Sequence, residues 1–206
     1  MPKVNPLDKK YMGIAISLAK KGIGRTNPNP AVGAVLVKNG RIIAADYHKK
    51  AGASHAETLV IKKAGRDAAG ATLYCTLEAC SNYGKTPPCV DALIKSGIKR
   101  AVFAMKDPNP LNGGKGISRL KKAGIRAEYG LLAEEAAFLN KPFIKFMTKQ
   151  MPYVTIKIAG SLDGKIADAK GNSKWITSEK SRRFVHKLRS QSDAVMIGIN
   201  TLLKDD

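Results

Sequence analysis

Cysteine is scarce in this chain of 206 residues: there are three, an odd number that cannot close into a framework of paired disulfides. Such usage fits a reducing compartment, and a cytoplasmic location is expected. No apolar run approaches the ~20 residues a membrane-spanning helix needs, and the opening stretch MPKVNPLDKKYMG lacks the apolar segment of a signal peptide. A soluble chain follows as the expectation. Acid is the other shortage, since 16 Asp and Glu stand against 36 Lys and Arg, a formal net charge of +20. An excess of this size suits a nucleic acid, a phosphorylated small substrate or a lysine-rich surface. The lysines are dispersed in pairs such as Lys20-Lys21 and Lys121-Lys122, with no arginine-rich arm and no aromatic-interleaved stripe. That dispersal favours a solvated surface, and no nucleic-acid partner is expected.

Set against these shortages is a concentration of metal-ligand chemistry. His55-Ala56-Glu57 is followed 23 residues later by Cys80 and then by Cys89. One imidazole and two thiolates leave a tetrahedral zinc ion an open fourth position for water, and Glu57 stands where it can carry a proton between that water and a leaving amine. The general nucleobase-deaminase pattern is H-x-E followed by P-C-x-x-C. The match is partial, because Ala79 precedes Cys80 and eight residues separate the two cysteines. A plainer reading of Ser54-His55-Ala56-Glu57 is a capping box, with Ser54 as helix N-cap and Glu57 as its partner. The two readings are compatible. Pro87-Pro88-Cys89 reads as a helix start, where the dipole favours thiolate, whereas Cys75 falls in an alternating run and is expected to pack on a strand face.

Periodicity predicts a helix over Leu7–Lys21, a hairpin of Ala31–Val37 and Arg41–Ala45 about Asn39-Gly40, a helix from His55, and a strand over Ala71–Leu77. A helix over Pro88–Ser96, a strand over Arg100–Ala104, a helix near Gly116–Ala123, a short strand over Ile125–Tyr129 and a helix over Leu132–Met147 follow. This is an α/β three-layer pattern with the ligand segments at helix starts on one sheet edge. Beyond Pro152 the pattern restarts, with strands expected over Tyr153–Ile158 and Ala194–Ile197 around a helix over Ser178–Arg189. The expected division is 1–147 and 148–206, the second too short to close a sheet-based domain.

Thr26-Asn27-Pro28-Asn29-Pro30-Ala31-Val32-Gly33, His48 and Gly52 ahead of His55-Ala56-Glu57, Thr76 through Cys89, and Asp107-Pro108-Asn109-Pro110 together resemble the bifunctional riboflavin-biosynthesis deaminase/reductase family. The long segment between Cys80 and Cys89 is characteristic of that family. Ile158 through Gly164, Ser173-Lys174-Trp175-Ile176-Thr177, Val185 through Arg189, and Gly198 through Asp206 are similar to the opening of its reductase domain. The resemblance implies a cytidine-deaminase-like α/β/α domain followed by an incomplete dihydrofolate-reductase-like α/β domain. It implies hydrolysis of the ring amine of 2,5-diamino-6-ribosylamino-4(3H)-pyrimidinone 5′-phosphate, with NADPH-dependent ribose reduction as the family's second activity.

On these positions the resemblance makes His55, Cys80 and Cys89 zinc ligands and Glu57 the proton shuttle. Asn29, His48, Lys85 and Asp107 would surround the substrate's ring, phosphate and ribose. In the second part Ala159, Trp175, Thr201 and Asp205 would contact NADPH, and Ser173 and Arg189 the reductase substrate. The partner is then a phosphorylated small molecule, with no membrane, and a homo-oligomer is compatible. A glycine-rich turn of the G-x-G-x-x-G type is absent, so deamination without reduction is expected of these residues. Ser54, Asp46, Ala79 and Asn82 depart from the usual proline, glycine, proline and histidine of the family. Two other readings remain open at this point, a polynucleotide or tRNA deaminase and a non-catalytic zinc-binding remnant.

Overall fold

A computed structural model of the chain describes residues 5–83 and 87–205, with side chains placed through Leu203. The chain divides into two compact units, Met1–Tyr153 and Val154–Asp206.

The first unit is built on a five-stranded sheet. Helix α1 (Pro6–Ala19) starts where Asn5 accepts a hydrogen bond from the Leu7 N–H at 3.0 Å and Pro6 occupies the first helical turn. Its buried residues Tyr11, Met12, Ala15, Ile16 and Ala19 recur at helical spacing. Strands β1 (Gly33–Lys38) and β2 (Arg41–Tyr47) form the expected hairpin, and Asn39 and Gly40 both take positive φ, 51° and 72°, as a tight two-residue turn demands. Then come α2 (Ala56–Ala64), β3 (Thr72–Leu77), α3 (Cys89–Lys95), β4 (Arg100–Met105), α4 (Lys115–Lys122), β5 (Arg126–Tyr129), α5 (Ala133–Leu139) and α6 (Lys141–Lys149).

The strand order is β2-β1-β3-β4-β5. The pairs β1/β2 and β1/β3 are antiparallel, and β3/β4 and β4/β5 are parallel. Alternate residues of each strand face opposite layers. Leu36, Leu73, Cys75, Ala101 and Phe103 join the core shared with α2, α3 and α4, in which Val60, Leu93 and Leu120 are fully buried. Val35, Val37, Tyr74 and Val102 face the other way, into the core with Tyr11, Met12 and Ala15 of α1 and Ala136 of α5. Gly33 is where β1 meets α1: a Cβ there would lie 2.0 Å from the Ala15 carbonyl oxygen, so no larger residue fits without moving backbone.

The structure departs from the sequence-based expectation in three places. The helix expected over Leu132–Met147 is two helices, broken at Asn140, whose side chain turns away to bind the Ala31 backbone and whose successor but one is Pro142. The expected strands Tyr153–Ile158 and Ala194–Ile197 are not strands. Their alternating apolar residues fit the β pattern, but a strand needs a hydrogen-bonded neighbour, and none pairs with them among the described residues. Ile156 and Met196 are 81% and 93% exposed. The second unit instead contains α7 (Glu179–Arg189), capped by the Ser178 hydroxyl on the Ser181 N–H at 3.3 Å, and α8 (Ile199–Asp205), which periodicity did not reveal. No helix among the described residues is long and apolar enough to cross a membrane.

Two buried aspartates tie elements of the first unit together. Asp8 of α1 receives both Nη atoms of Arg100, at 3.0 and 2.8 Å, and the Tyr74 hydroxyl, locking α1 to β3 and β4. Asp46 of β2 is paired with Lys49 and, at 2.8 Å, with Lys63 of α2. The hydrogen bond from Arg100 lowers the Asp8 pKa in spite of burial. At Asp46 burial works upward, but the bonds from Lys49 and Lys63 outweigh it and hold the pKa at about 2.

Arg100→Met leaves the Asp8 carboxylate without its cation and should lower unfolding free energy by about 2–3 kcal/mol, measured from the denaturant midpoint. Both aspartates sit below the value of ~3.9 expected in an unfolded chain. Their contribution is therefore complete above that pH and is lost as pH falls through the folded values. Through these two groups the midpoint should drop between about pH 4 and pH 2, and Asp46→Asn should flatten that acid limb.

Candidate metal and substrate site

Three segments converge beyond the C-terminal end of β3. His55 stands immediately before α2, Cys80 follows β3 by three residues, and Cys89 is the first residue of α3. The Nδ1 atom of His55 lies 3.2 Å from Cys89 Sγ and 3.6 Å from Cys80 Sγ, and the three ligand atoms all lie within 4.8 Å of one another. Tetrahedral zinc, with Zn–N near 2.0–2.1 Å and Zn–S near 2.3 Å, places neighbouring ligand atoms about 3.6 Å apart. The donor set and its spacing fit that ion. Cys75 is fully buried in the strand core, as its alternating context predicts, and is not part of the group.

Local structure explains the convergence. The α3 N-terminus closes on the Cys80 segment, with the Cys89 N–H on Cys80 Sγ at 3.3 Å and the Val90 N–H on the Cys80 carbonyl at 3.2 Å. The first of these, which reaches the sulfur, favours a thiolate at Cys80. Cys89 donating to it likewise holds the Cys80 pKa down to about 4, against burial, while the same bond holds Cys89 up. The capping-box expectation at Ser54 is corrected: the residue in the cap position is His55, and no side chain caps α2. His55 is thus extended backbone at the very start of a helix, and Glu57 lies in the first turn.

Glu57 is 3% exposed. Burial raises its pKa to about 7, with His55 opposing and the charges of Cys80 and Asp107 adding to the rise. A carboxyl so placed can both take and return a proton near neutral pH. His48, 2% exposed, stacks edge-on against His55 with ring centroids 5.2 Å apart. Its Nδ1 lies 3.1 Å from the Ser54 carbonyl oxygen and its Nε2 3.1 Å from Asn29 Nδ2. A carbonyl can only accept, so Nδ1 carries the proton and Nε2 accepts from the amide. Burial first, then His55, lowers the His48 pKa and favours this neutral form. Asn29 is thereby oriented, its nitrogen toward His48.

Asp107, 9% exposed, accepts from the Asn109 N–H at 2.9 Å and from Asn112 Nδ2 at 3.0 Å. Of the substrate positions implied by resemblance, the structure gathers Asn29 and His48 beside the ligand group and brings Asp107 within electrostatic reach of Glu57. Lys85 lies outside the described residues. In the second unit Ser173, Trp175, Arg189 and Thr201 are exposed and Ala159 is half-buried, while the Asp205 side chain lies outside what is described. Trp175 stacks with the Arg182 guanidinium, 4.2 Å from the ring centroid.

Sequence reasoning missed three polar residues that shape the site. Asn140, 3% exposed, accepts from the Ala31 N–H at 2.9 Å and donates to the Ala31 carbonyl at 3.0 Å, pinning the backbone two residues after Asn29. Glu78 and Asn112 hold the loop that carries Asp107. Glu78 stood inside a motif that was read for its cysteine, and Asn140, 111 residues from Asn29, had no sequence signal at all. Asn82, a departure from the family pattern, donates to the Leu111 carbonyl at 2.7 Å and ties the Cys80 segment to that same loop.

Comparison with known proteins places the chain as a whole. Residues 6–105 match the family described as the cytidine and deoxycytidylate deaminase zinc-binding region, and residues 152–206 match the RibD C-terminal domain. The chain is 53% identical to the riboflavin biosynthesis protein RibD of Aquifex aeolicus over 203 residues, 98% of this chain and 57% of that protein. It superposes with a TM-score of 0.91 and 49% identity on RibD of Acinetobacter baumannii, covering 97% of this chain and 56% of that one. The same TM-score and identity are found with the diaminohydroxyphosphoribosylaminopyrimidine deaminase/5-amino-6-(5-phosphoribosylamino)uracil reductase of Thermotoga maritima, over 97% of this chain and 57% of that one. The chain thus spans a little over half the length of these relatives.

Purified protein should carry about one zinc ion per chain, and His55→Ala, Cys80→Ser or Cys89→Ser should each release it, as read by a chromogenic chelator. Asn140→Ala orphans both polar groups of Ala31 and should cost about 2–3 kcal/mol of stability with the zinc content unchanged.

Proposed function

The chain belongs to the RibD family of riboflavin-biosynthesis proteins, and on that premise we propose that residues 1–147 form a zinc-dependent deaminase acting on 2,5-diamino-6-ribosylamino-4(3H)-pyrimidinone 5′-phosphate. The observation that carries the reading is the burial of Glu57 beside the clustered ligand atoms of His55, Cys80 and Cys89. His55, Cys80 and Cys89 would hold the zinc ion, which when bound lowers the pKa of its water to about 7. Glu57 takes the proton released as water adds to the amine-bearing ring carbon and returns it to the nitrogen, so that the C–N bond breaks and ammonia leaves. Its buried setting keeps bulk water from exchanging that proton.

The remaining roles concern orientation. With its nitrogen committed to His48, Asn29 presents its carbonyl oxygen to a ring N–H. Asp107 accepts from ribose hydroxyls, and Lys85 would meet the phosphate as a point charge. A net charge of +20 attracts such a phosphorylated molecule, and the dispersal of the lysines in short pairs favours a small substrate over a polynucleotide. For residues 148–206 we propose only that Ala159, Trp175, Thr201 and Asp205 face NADPH, and Ser173 and Arg189 the sugar phosphate, when that segment is packed on a sheet.

Glu57→Gln keeps the shape and the metal ligands but cannot carry the proton. Ammonia release from the diaminopyrimidine nucleotide should fall by at least about 100-fold, with zinc content at the parental level. A Glu57→Gln protein that still deaminates would remove Glu57 from the reaction. One that has lost its zinc would contradict the division of roles.

A further inference from the structure

We propose that Glu78 is a positioning residue for substrate binding, holding the loop of Asp107 in place over the site. The inference rests on the role given to Asp107 above. Glu78 leaves the end of β3 two residues before Cys80 and is 2% exposed. Its Oε2 accepts from the Asp107 N–H at 3.1 Å and the Gly114 N–H at 2.9 Å, and its Oε1 from the Ile117 N–H at 3.0 Å. Each of these partners is a backbone donor belonging to the turn after β4 or the start of α4. A buried carboxylate bound to three such amides is a strong, directional anchor, and its attachment points bracket the loop from 107 to 117.

The loop is fastened on its other side as well. Asp107 Oδ2 takes Asn112 Nδ2, and Asn112 Oδ1 in turn takes the Ser81 N–H and hydroxyl, both at 3.2 Å. Gly116 allows the close approach this requires, since a Cβ there would fall 2.2 Å from the Ala79 carbonyl oxygen and 3.2 Å from Glu78 Oε1. The segment carrying Cys80 and the segment carrying Asp107 are therefore one clamped unit. None of the Glu78 bonds reaches a metal ligand or Glu57, so the clamp governs where Asp107 sits, and the proton transfer is left to other groups.

Glu78→Gln is nearly isosteric but turns an amide N–H toward backbone donors. Its KM for the diaminopyrimidine nucleotide should rise by about tenfold or more, with kcat within about threefold of the parent and zinc unchanged. Asp107→Ala should raise KM comparably, and the double variant should be no worse than the worse single variant, because both remove the same contact. Parental KM in Glu78→Gln, effects that multiply in the double variant, or a joint loss of zinc and kcat would each overturn the proposal. If Glu78→Gln does not fold, Asn112→Ala, which cuts the other fastening, should give the same split between KM and kcat, and a parental KM there counts against the clamp. Hydrogen exchange supplies a readout that needs no substrate. The amides of Asp107, Gly114 and Ile117 should exchange faster in Glu78→Gln, and unchanged exchange overturns the clamp even if the parent proves to act on another molecule.

Discussion

Strand β3 is hydrogen-bonded on both sides, antiparallel to β1 and parallel to β4, so the position where it leaves the sheet is set by two ladders at once. The chain from Leu77 onward emerges at a fixed point and delivers Glu78, Ala79 and Cys80 in three steps. Because β4 runs parallel beside it, the turn after β4 emerges on the same edge and brings Asp107 alongside. The antiparallel hairpin of β1 and β2 brings the loop before α2 to that edge, and with it His48 and His55. His48, His55, Glu57, Cys80 and Asp107 come from separate stretches of sequence and meet because one mixed sheet ends them all at one edge.

Charge is distributed in a way that the net value conceals. Among the described residues, Asp8, Asp46, Glu57, Glu78 and Asp107 make up five of the nine buried polar or charged side chains. A chain poor in acid places part of that acid inside, where each carboxylate is tied by cations or backbone amides or is pushed toward the neutral form by burial. Asp8 and Asp46 take the first solution with Arg100 and with Lys49 and Lys63. Glu78 takes the second with three amides. Glu57 takes the third. The same residue type is therefore held as a paired ion, as an acceptor of backbone amides or as a group poised near neutrality, according to its surroundings. The surface left behind is more basic than composition alone suggests.

The second unit shows how far pattern can be trusted. Tyr153–Ile158 and Ala194–Ile197 alternate as strands do, yet neither is a strand, whereas α7 forms with its Ser178 cap in place. A helix satisfies its backbone within one segment, and a strand must borrow half of its bonds from another. Local sequence is thus sufficient for α7 and insufficient for the strands. The same contrast explains why the cap expected at Ser54 failed, although Asn5 and Ser178 do cap their helices. At Ser54 the chain is committed to bringing His48 and His55 together, and the Ser54 carbonyl is used to hold the His48 ring.

Sequence by itself determined most elements of the first unit, the hairpin at Asn39-Gly40, and the grouping of His55, Cys80 and Cys89. Spacing, periodicity and turn chemistry are local properties, and metal-ligand residue types are rare enough to be noticed together. Tertiary structure alone decided the break at Asn140, the tautomer of His48 with the orientation of Asn29, and the anchoring of the Asp107 loop by Glu78. Each of these depends on a polar side chain meeting backbone or side-chain partners from 6 to 109 residues away. Such pairs obey no period. They form because a buried polar group left without a partner is costly, and which partner is within reach is known only once the sheet has brought the segments together.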